Sequence, residues 1–116
     1  MQVKEHSING TEISEVFHDH RRISGVQDFL DIMVNVASRT IILYKKDIDE
    51  SFFDLKTGFA GEALQKASNY RIRLGIIGDY SGYDSRSLKD FIRESNNTGQ
   101  VIFVPSLEEA LDTFSI

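Results

Sequence analysis

The amino-acid sequence predicts an α/β domain in which an N-terminal β-hairpin is followed by parallel βαβαβα units, with four amphipathic helices on a mixed sheet. Three observations predict it. Asn9-Gly10 stands between two strand-like segments; short apolar runs recur at 40–44, 71–77 and 100–104; and segments of helical periodicity separate those runs. Runs apolar on both faces suit a sheet covered by helices on both sides. Helices between them make the strands parallel, joined by right-handed crossovers.

The elements follow in order. Strands are expected over 3–8 and 11–17, because Asn-Gly is the strongest short hairpin signal: both turn positions need positive φ. Ser24-Gly25-Val26-Gln27 reads as a capping box opening a helix that ends near Ser38, with Val26, Phe29, Leu30, Met33, Val34 and Ala37 on its apolar face. The segment 51–69 is helical with two possible starts. One is a cap at Asp49 or Ser51; the other is a short turn ending at Lys56 and a main helix capped by Thr57. Ser85 or Ser87 caps a third helix with Leu88, Phe91 and Ile92 inward, closed by Asn96-Asn97-Thr98-Gly99. Ser106-Leu107-Glu108-Glu109 is a second capping box, opening a last helix that carries Leu107, Ala110, Leu111 and Phe114 on one side.

Composition bounds the function. The 116 residues are expected to form one domain, residues 1–116, with no repeat or linker. With no cysteine, disulfides, thiolate nucleophiles and cysteine-ligated metals are excluded. A net charge of −5, spread along the chain, argues against nucleic acid as partner; Arg21-Arg22 and Arg71-Ile72-Arg73 are the only basic clusters. Met1–His6 hold no apolar run of signal-peptide type and nothing later reaches membrane-spanning length. A cytoplasmic location away from the membrane is therefore expected.

Two resemblances extend this reading. The element order resembles that of the STAS domains of anti-sigma-factor antagonists and sulfate transporters. In that family a short strand leads to an Asp-Ser-Ser-Gly or Asp-Ser-Thr-Gly turn opening a helix. Here Phe53-Asp54-Leu55-Lys56-Thr57-Gly58-Phe59 sits at the equivalent place with an extra residue, and Thr57 alone can match the phosphorylatable hydroxyl. The segments Phe52-Phe53-Asp54-Leu55-Lys56-Thr57-Gly58, Ala60-Gly61-Glu62, Leu64-Gln65-Lys66, Ser68-Asn69-Tyr70 and Ser87 through Asn96 resemble a bacterial family known as domain of unknown function 4180. That resemblance covers nearly the whole chain and implies no catalytic residue.

Open parallel sheets bind ligands beyond the carboxyl ends of their strands. Those ends supply Lys45, Lys46, Asp47, Asp79, Tyr80 and Ser106, and the helix entry adds Asp54, Lys56, Thr57 and Gly58. The binding or phosphorylation candidates are Asp54, Lys56, Thr57, Gly58 and Asp79. A helix N-terminus tolerates an anion, so Thr57-Gly58 could carry a phosphate; a plain cap is the simpler role of Thr57. Asp54 and Asp79 could form an acid–base pair, although loop aspartates commonly serve turns. His18-Asp19-His20 reads as a solvated loop rather than a metal site, and no cofactor is implied. Gly78-Asp79-Tyr80-Ser81-Gly82-Tyr83 lacks the dinucleotide fingerprint and reads as a turn.

The expected role is a non-enzymatic regulatory module that binds a protein partner, as STAS-like domains do, and self-association is compatible with it. The alternative is a small-ligand binder or small enzyme using the strand-end cleft.

Overall fold

A computed structural model describes residues 1–18 and 22–115. Its elements are β1 (Gln2–Ile8), β2 (Thr11–Phe17), α1 (Val26–Asn35), β3 (Thr40–Tyr44), α2 (Phe59–Asn69), β4 (Arg73–Ile77), α3 (Arg86–Thr98), β5 (Val101–Val104) and α4 (Leu107–Phe114). The five strands form one mixed sheet in the order β1-β2-β3-β4-β5. β1 pairs antiparallel with β2, and β2, β3, β4 and β5 run parallel. The hairpin forms where Asn9 and Gly10 turn the chain with φ of 52° and 82°.

α1, α2 and α3 lie on one face of the sheet. There Phe29, Phe52, Phe53, Phe59 and Phe103 pack with Val16, Ile41, Leu43, Leu74, Ile76 and Leu88. On the other face α4 stands alone, and Phe114 and Ala110 cover Ile13, Ile42, Ile77 and Ile102. Phe114 reaches the sheet because Gly75 has no side chain: a methyl group there would sit 3.0 Å from Phe114 Cε2. The outer edge of β5 is closed by α3, whose Asn96 amide accepts from Phe103 N at 2.7 Å and donates to Phe103 O at 3.2 Å.

Several expectations need correction. The capping box at Ser24 and Gln27 does not form. Gly25 is the N-cap of α1 and makes no side-chain cap bond; instead Asp28, one turn in, accepts from Ser24 N at 2.9 Å. The apolar stripe of α1 is also turned. Phe29, Ile32 and Met33 are buried, whereas Val34 is 69% exposed and Ala37 lies on the surface beyond the helix end at Asn35. Finally, the stretch before α2 is neither a continuous helix nor a single turn. Two 3-10 turns, Glu50–Phe53 and Leu55–Thr57, precede a helix capped by Gly58, not Thr57. Gly58 has φ of 78°, a left-handed value that breaks the helical path and favours glycine. At the other caps Ser85 Oγ accepts from Leu88 N and Ser106 Oγ from Glu109 N, each at 3.2 Å.

Candidate functional site

Parallel strands that end at Tyr44, Ile77 and Val104 bring three loops together at one end of the sheet. Lys45 leaves β3 and runs across the backbone of the β4 loop at Gly78, where a methyl group would sit 2.5 Å from Lys45 Cβ. Glycine is required there by close approach. The Lys45 ammonium then lies 5.2 Å from the Phe53 ring centre and 5.1 Å from that of Tyr83, and 3.3 Å from Glu50 Oε1. The Tyr83 hydroxyl donates to the same carboxylate at 2.9 Å. Rings continue inward: Phe53 stacks on Tyr83 at 5.5 Å, and Tyr80 meets Phe103 edge-on at 5.5 Å.

The protonation states at this rim are settled by those contacts. Tyr83 and then Glu50 hold the Lys45 pKa above its ordinary value, so Lys45 is a cation. Burial raises the Tyr80 phenol, whose hydroxyl donates to Ile76 O at 2.8 Å. The Asp79 carboxyl is held below its ordinary value by hydrogen bonds from the Ser81 hydroxyl, at 2.6 Å, and the Ser81 N–H, at 2.9 Å. Each group is thereby fixed in the charge state that it has in water at neutral pH. Beside them Gly78, Asp79, Tyr80 and Pro105 line an open hollow of about 330 Å³.

The sequence-predicted candidates occupy the same end but do not converge. Asp54 is exposed and its Oδ1 accepts from Lys56 N at 3.2 Å, an Asx turn. Lys56 and Thr57 are exposed. The Thr57 hydroxyl points its one proton at Ser51 O, 2.8 Å, and Asp54 O, 2.9 Å, and accepts from Phe59 N at 3.2 Å. It therefore ties both 3-10 turns to the first turn of α2. Asp79 belongs to the β4 loop beside Lys45, and its hydrogen bonds run to Ser81 and not to Asp54.

Two clusters were not legible in the sequence. Lys45 and Glu50 come from the connection after β3 and Tyr83 from the loop after β4, and only the sheet order brings Tyr83 to the other two. The other cluster lies on the α4 face near β1. Glu15 of β2, 3% exposed, accepts from His6 Nε2 at 2.8 Å and from the Tyr44 hydroxyl at 2.5 Å. Phe17 stacks on Tyr44 at 5.4 Å, and Lys46 lies 5.7 Å from the Tyr44 ring centre. A signal was present: Glu15 alternates with Ile13 and Phe17, on a face whose Ile13 is fully buried. Of His18-Asp19-His20 and Arg21-Arg22, Asp19, His20 and Arg21 lie outside the described residues. Among the described residues no group of three or more His, Cys, Asp or Glu side chains is placed to hold a metal. Among the described residues no helix is long and apolar enough to cross a membrane.

A family model described as Domain of unknown function (DUF4180) matches residues 8–114, from the end of β1 to the end of α4. The chain belongs to that family. No curated protein and no solved structure matches it.

Proposed function

We propose that the chain is a non-enzymatic regulatory module of STAS-like type that binds a protein partner with the rim at the carboxyl ends of its parallel strands. One observation carries this reading: Lys45, Asp54, Thr57 and Asp79 are already held by hydrogen bonds or an ion pair, and yet Glu50, Asp54, Lys56, Thr57 and Asp79 stand exposed along the rim. Lys45 answers Glu50 and Tyr83, Asp79 answers Ser81, and Asp54 and Thr57 answer backbone groups. General acid–base or nucleophilic chemistry needs a group with a shifted pKa matched to its task, free to reach a substrate. A rigid surface of aromatic rings and held charges suits recognition instead. The STAS-like element order, hairpin first and parallel strands after, supports the same class by analogy of fold.

Within this reading Thr57 is the control point. Its side chain is exposed at the entry of the eleven-residue α2, so a phosphate there would meet a helix N-terminus that tolerates negative charge. Phosphorylation would also remove the proton that now binds Ser51 O and Asp54 O, loosening the two turns. The location is expected to be cytoplasmic.

Affinity capture from the source cell with the wild-type chain and with Thr57→Glu and Lys56→Glu tests this. The expected result is a protein retained by the wild type and lost by both variants, with Tm shifted by no more than a few degrees. The open hollow at Gly78 and Pro105 favours one rival, a small-ligand site. A small molecule copurifying with the chain and contacting Tyr80, with no retained protein, would replace the proposal by that rival.

A further inference from the structure

The opposite end of the sheet carries a second surface. At the amino ends of β3 and β4, Met33, Val34, Val36, Ala37, Tyr70 and Ile72, with Ser38 and Arg39, line a groove of about 340 Å³. Val34 is 69% exposed and Tyr70 47%, so two of the four exposed large apolar side chains of the described residues border this one groove. The floor is built of buried Met33 and Ile72. Val34 is also the residue that the helical pattern assigned to the core. It lies outside the core because Ile32 takes the inward position on α1.

Arg39 lines this groove, and a second arginine follows Tyr70 in the chain. Arg39 is exposed and donates from Nη1 to Tyr70 O at 2.9 Å; the guanidinium has further N–H donors beyond that bond. Arg71 follows Tyr70 directly, is exposed, and adopts φ of 56°, unusual for a residue other than glycine. Among the described residues neither Arg39 nor Arg71 forms an ion pair with a carboxylate. Two uncompensated cations stand beside an apolar groove in a chain of net charge −5. Tyrosine, methionine and arginine together are the composition of interface cores.

We infer that this groove docks an acidic peptide segment of a partner, one apolar side chain entering between Val34 and Tyr70 while neighbouring carboxylates meet Arg39 and Arg71. The volume suits a single leucine- or phenylalanine-sized anchor and its backbone.

The test is selection of a displayed random twelve-residue peptide library on the immobilised full-length chain, with counter-selection on Val34→Gln. Selected peptides are then labelled and their binding measured by fluorescence anisotropy. The expected peptides carry Asp or Glu beside a Leu, Ile or Phe. They lose at least about tenfold in affinity to Val34→Gln and to Arg39→Gln, and weaken as salt rises. Val34→Gln is a surface change, and an unaltered circular dichroism melt certifies it; should Arg39→Gln melt early, Arg71→Gln replaces it. Basic or uncharged peptides, peptides that bind wild type and Val34→Gln alike, or no enrichment would each overturn the proposal. So would a wild-type dimer in sedimentation that Val34→Gln makes monomeric.

Discussion

The two faces of the sheet differ in how many elements share their burden. One is covered by α1, α2 and α3, and its core is a continuous set of rings: Phe29 stacks on Phe52 at 5.7 Å, and Phe59 meets both edge-on. The other depends on the eight residues of α4 and one fully buried aromatic ring, Phe114, with the half-buried Tyr44 packed at its margin. The difference follows from topology. Successive parallel strands added in one direction across the sheet, with crossovers of one hand, place every connecting helix on the same side. Only the helix after the last strand is free to turn back and cover the opposite side, and a short helix cannot cover all of it. Beyond its reach the sheet meets solvent through a polar arrangement, Glu15 with His6 and Tyr44.

The largest expected effect is on the crowded face. Phe29 is 1% exposed and contacts rings of two other segments, so Phe29→Ala should cost about 3–5 kcal/mol, read from the urea midpoint. On the α4 face Phe114→Ala should cost about 3 kcal/mol, the lower end of that range, because one short helix can shift to close the gap. Gly75→Ala sharpens the contrast. Its methyl group would press on the Phe114 ring, so a loss of about 1–3 kcal/mol is expected, and Phe114→Leu should relieve part of it in a double-mutant cycle. Independent effects at 75 and 114 would mean that the ring does not rest on Gly75.

What the sequence made legible divides along the same line. Local signals were readable: the Asn9-Gly10 turn, the cap at Ser106, a serine cap at 85 or 87, the Gly99 helix end and the three apolar runs all state a backbone preference within a few residues. Choices among similar local options were not. Val34 and Ile32 are both apolar and lie on different sides of α1, and only the position of the sheet decides which is inward. Thr57 and Gly58 both suit a helix start; the hydroxyl proved more useful for tying Ser51 O and Asp54 O. At the rim, Asp54, Lys56, Thr57 and Asp79 lie at the end that strand polarity predicts. Their hydrogen-bond partners were not legible, since Lys45, Glu50 and Tyr83 meet only once β3 and β4 are neighbours.

A smaller effect tests the polar corner. Burial first, and the hydrogen bond to Glu15 second, raise the Tyr44 phenol above its ordinary value; burial also raises Tyr80 and Tyr83. The folded chain holds these protons to higher pH than the unfolded chain does. Stability is therefore fully present below about pH 10 and falls as pH rises beyond it. Tyr44→Phe removes a donor to buried Glu15 and should cost about 1–2 kcal/mol at pH 7. It also removes one of the groups that release protons on unfolding in alkali. The gap between wild type and Tyr44→Phe should accordingly narrow above pH 10 in denaturation experiments; a gap that widens would place the phenol proton elsewhere than on the carboxylate.

The smallest effect compares the faces through one identical bond. Ser85 caps α3 and Ser106 caps α4 with hydroxyl acceptors at the same 3.2 Å, so each Ser→Ala change removes the same interaction, worth about 1 kcal/mol. What differs is the support behind it. α3 has thirteen residues and is bound to the β5 edge through Ser95 and Asn96, whereas α4 has eight and no helix beside it on its face. Loss of the Ser106 cap should therefore let α4 open by itself. Native-state hydrogen exchange of its amides, Ala110 among them, should quicken about fivefold while β3 and β4 stay protected. Ser85→Ala should leave the exchange of α3 close to that of the sheet. The expected capping box at Ser106 is only half made, because the Glu109 carboxylate takes no part in the bond from Glu109 N to Ser106 Oγ. Glu109→Ala should thus change stability little and add independently to Ser106→Ala. Coupling between the two would show that the carboxylate closes on Ser106 in solution; equal exchange in α3 and α4 after either serine change would show that both faces open together.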